Sequence, residues 1–178
     1  FIAYVSGYSK MKGEQAIGAS LRYFSLGNIT FTDANGNTIR DFKPNEFAFD
    51  VAYSRKLSEY FSGGITLRYI HSNLTGGTSV EGTDSKAGNS AAADISSFFQ
   101  KDIELGNKDA VLTAGINISN IGAKISYTET GTKNFLPTNL RLGPGLKLKL
   151  NEYNDLAFGL DINKLLVPTP PIYTQDST

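Results

Sequence analysis

Hydrophobic and polar residues alternate along most of this chain with a period of two. In Asn139-Leu-Arg-Leu-Gly-Pro-Gly-Leu-Lys-Leu-Lys-Leu150 leucine takes every second position except Pro144, and Arg141, Lys147 and Lys149 fall between. Side chains project to opposite sides of a strand in turn, so this pattern predicts a strand with one apolar and one charged face. The same alternation predicts strands over Phe1–Ser9, Gln15–Thr32, Glu46–Leu57, Gly63–Thr75, Ser90–Ile103, Ala110–Ile121, Asn139–Leu150 and Asp155–Val167. No helical periodicity stands out. Most of these segments have the length that crosses a bilayer when tilted, and the second is long enough to project beyond one.

The connections come in two kinds. Lys10–Glu14, Ser58–Ser62, Glu104–Asp109 and Asn151–Asn154 are short and rich in turn formers, whereas Asp33–Asn45, Gly76–Asn89, Gly122–Thr138 and Pro168–Thr178 are long and polar. Short and long alternate without a break. Outer-membrane barrels have short periplasmic turns and long external loops, and nothing in a soluble sandwich requires that arrangement. The expectation is an all-β, antiparallel transmembrane β-barrel in the bacterial outer membrane, with its apolar positions facing lipid and its long loops outside. Pro144 is awkward here, because it lacks an N–H in a strand that should be paired on both sides, so a bulge or local break is expected there.

Composition fits this picture and narrows the chemistry. The 178 residues have zero formal net charge, one histidine and no cysteine. Neutrality argues against nucleic acid, and disulfides, thiol chemistry and most zinc sites drop out. A mean hydropathy of −0.21 would suggest a soluble chain, but a barrel is polar at alternate positions and in its loops. The opening in mid-strand, without methionine or signal peptide, and the loop-like end suggest residues 1–178 as one domain, an internal portion of a longer barrel.

The polar positions carry ions of alternating sign: Arg22, Asp50, Arg68, Asp94, the neutral Asn117, Arg141 and Asp161. Strands lie about 4.8 Å apart, so opposite signs at similar depth can pair along an inner wall. This predicts a structural lumen ion-pair network, with a solute pathway as the competing reading. Catalysis by paired aspartates is the weakest option, since arginine partners explain them and no nucleophile–base pair is apparent. No catalytic, cofactor or metal residue is assigned. Asp33-Ala-Asn-Gly-Asn37 has spaced oxygens, but Thr38 and Pro44 stand where a calcium loop needs Gly and Glu, so a surface turn at Asn35-Gly36 is expected. His71 continues the register of Ile65, Leu67 and Tyr69 and suits an interfacial position. Of the nine tyrosines and eleven phenylalanines, Tyr4, Tyr8, Tyr23, Phe24, Phe47, Tyr53, Tyr60, Phe61, Phe98, Phe99 and Tyr153 gather towards strand ends, resembling aromatic girdles.

Five stretches carry a family resemblance: Tyr4-Val-Ser-Gly-Tyr-Ser9; Ala19-Ser-Leu-Arg-Tyr-Phe-Ser-Leu-Gly-Asn-Ile-Thr-Phe-Thr32; Lys43-Pro-Asn-Glu46; Gly64-Ile-Thr-Leu-Arg-Tyr-Ile70 with Ser72-Asn-Leu-Thr75; and Asn139-Leu-Arg-Leu-Gly-Pro-Gly145. They resemble the PorV (LptO) family of the Bacteroidota type IX secretion system, itself similar to the fourteen-stranded FadL barrels. The resemblance implies a barrel of which about eight strands are present, and a non-enzymatic role. It further implies partners: a giant SprA- or Sov-like translocon barrel, the C-terminal signal domains of cargo, a PorU-like sortase in the attachment complex, and membrane lipid with lipopolysaccharide. Contacts with cargo are expected on the long loops. A FadL-like transporter of hydrophobic small molecules and a small, self-contained structural barrel are the alternatives.

Overall fold

The structure is a computed structural model that describes residues 1–77, 84–128 and 133–167. These residues form strands and no helix. Eleven strands follow in chain order: β1 Ile2–Met11, β2 Gln15–Ser25, β3 Ile29–Thr32, β4 Thr38–Phe42, β5 Asn45–Lys56, β6 Phe61–Asn73, β7 Gly88–Leu105, β8 Lys108–Gly122, β9 Asn139–Lys149, β10 Asp155–Gly159 and β11 Ile162–Leu165. One antiparallel sheet runs in the order β1-β2-β5-β6-β7-β8-β9-β10, with β11 also on β9, and its two sides do not meet. β3 and β4 make a separate hairpin.

Register divides the side chains into the two faces that the alternation predicts. Tyr4, Arg22, Ala48 and Ile70 lie on one face with Ser20, Asp50, Arg68 and Asp94. The opposite face carries Val5, Ile17, Leu21, Phe49, Val51, Ile65, Leu67, Ile95, Ile116, Leu142 and Phe158, all of them exposed large hydrophobics. Aromatic groups border this apolar face at both ends. Phe61 and Tyr60 pack with Phe99 beside the short turns. Phe47 packs with Tyr69 and His71 beside the long connections. His71 Nδ1 and Tyr69 OH both lie 2.8 Å from Asn89 Oδ1.

Three expectations change. Gln15–Thr32 is not one long strand: β2 ends at Ser25, and the chain turns at Gly27 (φ 87°), a conformation that favours glycine. The remainder becomes β3, which pairs with β4 inside the supposed loop 33–45. Asp33 Oδ1 accepts from the amides of Asn35 and Asn37 at 2.9 and 2.8 Å and closes this hairpin's turn.

The second change concerns Pro144. β9 runs through it without a bulge, and its pairing with β8 is continuous across Ala114↔Pro144. In an antiparallel strand a residue's N–H and C=O point to the same neighbour. Pro144 therefore loses its single ladder donor on the side of β10, where its carbonyl still accepts from Leu160 at 3.1 Å. The break appears in that neighbour, as the gap at Leu160 and Asp161 that splits the predicted strand Asp155–Val167 into β10 and β11.

The third change concerns the connection 122–138, expected to be an outward polar loop. Its described part turns back over the polar face of the sheet. Ile125 and Leu136 are buried with Ala92 and pack against Ile70 and Tyr127. The final long connection, 168–178, lies outside the described residues.

Candidate functional site: an arginine hub beneath an inward connection

β5, β6 and β7 bring three ions together on the polar face. Arg68 lies opposite Asp50 in register, and its Nε donates to Asp50 Oδ1 at 2.6 Å. Across the other ladder Arg68 faces Ala92, and the small methyl leaves room for the guanidinium to reach Asp94 diagonally. There Nη2 donates to Oδ2 at 3.0 Å and Nη1 to Oδ1 at 3.4 Å. Ser20 Oγ donates to Asp50 Oδ2 at 3.0 Å, and the Asn120 amide donates to Asp94 Oδ1 at 2.8 Å. All three ionic side chains are largely buried, at 11–14% exposure. Two carboxylates on one guanidinium leave a formal excess of one negative charge, which the Ser20 and Asn120 donors offset in part. Among the described residues no buried side-chain nitrogen or oxygen lacks a partner.

Asn120 completes the hub through a backbone irregularity. The β7–β8 register slips between Ala93↔Ile121 and Ile95↔Ile118, so two residues of β8 oppose Asp94. This is a β-bulge, and Asn120 sits in it at φ 58°, where asparagine is better tolerated than most side chains. The bulge aims its Oδ1 at Arg68 Nη1 and its Nδ2 at Pro137 O, 3.2 Å away. Thr138 Oγ1 donates to Asn120 O at 2.9 Å. Asn120 thus links the ionic cluster to the returning arm of the inward connection.

The remaining ions of the alternating series stand apart. Arg22 borders the same recess as Asp50 and Arg68, yet its register partner is Ala48, and Ser20 is the residue opposite Asp50. Its guanidinium lies 5.8 Å above the Tyr4 ring. Arg141 Nε donates to Asn163 Oδ1 at 2.8 Å. Asp161 lies over Gly143, where an added Cβ would come within 2.6 Å of its carboxylate. Arg22, Arg141 and Asp161 make no ion pair within 4.0 Å among the described residues.

A second set of contacts joins the sheet and the connection. Tyr127 OH donates to Ser72 Oγ at 3.1 Å, and Ser72 Oγ donates to Glu46 Oε1 at 2.5 Å. Ser72 is only 1% exposed. Between this chain of bonds and the hub is a groove of about 550 Å³, bounded by Arg22, Phe24, Ile70, Tyr127, Phe135 and Leu136 among others. No group of three or more His, Asp or Glu side chains suited to a metal occurs among the described residues.

Sequence reasoning overlooked Asn120, Tyr127 and the Glu46–Ser72 pair. A signal for Asn120 was present. The apolar positions Leu112, Ala114, Ile116 and Ile118 are followed by Ile121 rather than residue 120, and that phase slip is the mark of a bulge.

No curated protein matches the chain significantly. The sequence model of the family described as "Type IX secretion system protein PorV" matches residues 1–172. The chain belongs to the PorV family, whose members are components of the type IX secretion system.

Proposed function

We propose that this chain forms part of a closed outer-membrane β-barrel that binds the C-terminal signal domain of exported cargo and carries it from the translocon to the surface attachment complex. The observation that carries the membrane part is the size of the apolar face. On β6 it runs from Phe61 to His71, ten residue steps or about 33 Å of strand. At a tilt of about 40° that corresponds to roughly 25 Å, the height of the apolar band of such barrels. Exposed aliphatic side chains fill this span between the two aromatic borders. The polar face would then line the interior, where the Asp50–Arg68–Asp94 cluster serves to hold strands together. The whole barrel has fourteen strands in this reading, and the open sides of the sheet accept the rest.

Membership of the PorV family supports the secretion part. The partners in this reading are a giant translocon barrel of the SprA or Sov kind, cargo signal domains, and a PorU-like sortase, with lipid and lipopolysaccharide around the wall. The β3–β4 hairpin and the stretch that follows β6, residues 74–77, are the outward surfaces available for such contacts. Arg40 Nη2 on that hairpin donates to the carbonyls of Thr75 and Gly76 at 3.1 and 2.9 Å, so the two surfaces are fixed to each other.

Affinity purification of the full-length protein from outer membranes, followed by mass spectrometry, tests the proposal. Recovery of a giant barrel and signal-bearing cargo is expected. Co-purification of fatty acid or aromatic hydrocarbon with no protein partner would overturn it in favour of a FadL-like transporter.

A further inference from the structure

We propose that the two described arms of the connection between β8 and β9, residues 123–128 and 133–138, form a resident plug that seals the barrel interior near the long-loop end. The inference rests on the reading above that the polar face is the interior wall. Both arms of the connection are held on that face. Ala123 O accepts from Ser90 Oγ at 2.7 Å, and Ala123 N donates to Ala91 O at 3.1 Å. Ile125 and Asn134 exchange two backbone hydrogen bonds of 2.9 and 2.8 Å, tying the arms into one unit. A third segment joins them, since Lys86 N donates to Tyr127 O at 2.7 Å.

The wall is shaped to receive this unit. An interior surface facing only water would gain nothing from apolar side chains, yet Ile125 and Leu136 bury themselves against Ala92 and Ile70. Gly88 makes the seat, because a Cβ there would stand 2.8 Å from Ile125 and 2.9 Å from Tyr127. Polar bonds then fix the orientation: Tyr127 to Ser72 and on to Glu46, and Asn120 to Pro137. A segment seated in apolar contact and bonded from three neighbouring strands (β6, β7 and β8) occupies the interior as structure and blocks it to solutes.

Conductance of the full-length protein in planar lipid bilayers provides the test. The wild type should be silent. Ile125→Asp combined with Tyr127→Ala should lose the seal and give discrete current steps. Gly88→Leu, which leaves the connection's own sequence intact and fills its seat, should also conduct. Lys108→Ala should stay silent, because Lys108 is exposed at the short-turn end of β8, away from the connection. Heat-modifiable migration on gels reports separately whether each variant is a barrel. Seat variants that migrate as folded barrels and remain silent would overturn the plug alone, as would a wild type that conducts as well as they do. A wild type with no heat-modifiable form would overturn the barrel reading along with it.

Discussion

The centre of the sheet and its β9–β11 side carry the same kind of sequence and differ in what it builds. Both place arginine and aspartate on the polar face at neighbouring strands. In the centre, Arg68 meets Asp50 at the same register level and reaches Asp94 past a small residue. At the β9–β11 side, Asp161 lies level with Gly143, two residues from Arg141, and Arg141 settles on Asn163. Alternation decides the face on which a charge lies. Register and the residue directly opposite decide whether two charges meet: across the same two-residue offset Arg68 passes the small Ala92 to reach Asp94, whereas Arg141 is held by the polar Asn163 opposite it.

The largest expected effect tests the centre. Arg68→Leu leaves Asp50 and Asp94 buried side by side without their cation and should cost about 3–5 kcal/mol of folding stability. Arg141→Leu at the other side should cost no more than about 1 kcal/mol, since it removes one exposed hydrogen bond. Urea titration of heat-modifiable migration measures both, and equal losses would erase the distinction between the regions.

Asn120→Val comes next. It removes the bonds to Arg68 and Pro137 and places a β-branched residue at positive φ, for an expected cost of about 2–3 kcal/mol in the same titration. Asn120→Gly keeps the backbone conformation available and should recover part of that loss. Full recovery would mean that the side-chain bonds contribute nothing and the bulge alone matters.

Pro144→Leu addresses the β9–β11 side and should have a smaller effect of opposite sign. It supplies an N–H towards Leu160 and should join β10 to β11, with a gain of about 0.5–1.5 kcal/mol. Slower amide exchange at Ile162 and Asn163 would reveal the join. Unchanged exchange there would mean that Asp161, rather than the proline, interrupts the strand.

The smallest effect concerns the β3–β4 turn. Hydrogen bonds from Asn37 and Asn35 hold the Asp33 carboxyl below the usual aspartate range. A lowered folded value means that the carboxylate's contribution is complete at neutral pH and disappears as pH falls through that value. Protection of the Asn35 and Asn37 amides, measured against the unfolded-chain exchange rate at each pH, should therefore stay constant at mildly acid pH and fall only in stronger acid. A loss of protection at mildly acid pH would contradict the turn geometry.

Much of the architecture was legible from period-two alternation alone, because a one-residue slip would turn every leucine of β9 to the wrong side. Arg68 and its two aspartates were legible as candidates for the same reason. The less legible features depend on contacts distant in sequence. Nothing local in Lys124-Ile-Ser-Tyr-Thr128 marks it as an inward segment, because its apolar residues acquire a partner only when Ala92 and Gly88 come beneath them. Arg22 misled for a related reason. It has the expected sign and face, but the β2–β5 pairing sets it level with Ala48.

The grip of Arg40 on the β6–β7 connection has a consequence for sequence drift. Its partners there are the main-chain oxygens of Thr75 and Gly76, which every amino acid possesses. The bond to Arg40 therefore asks nothing of the side chain at residue 75, whose hydroxyl instead accepts from Ser85 Oγ at 2.7 Å. Residue 76 is different: a Cβ would stand 2.7 Å from the Phe42 ring, and its φ is 60°. A surface that can vary its chemistry while keeping one glycine and one arginine can change what it touches without changing where it stands.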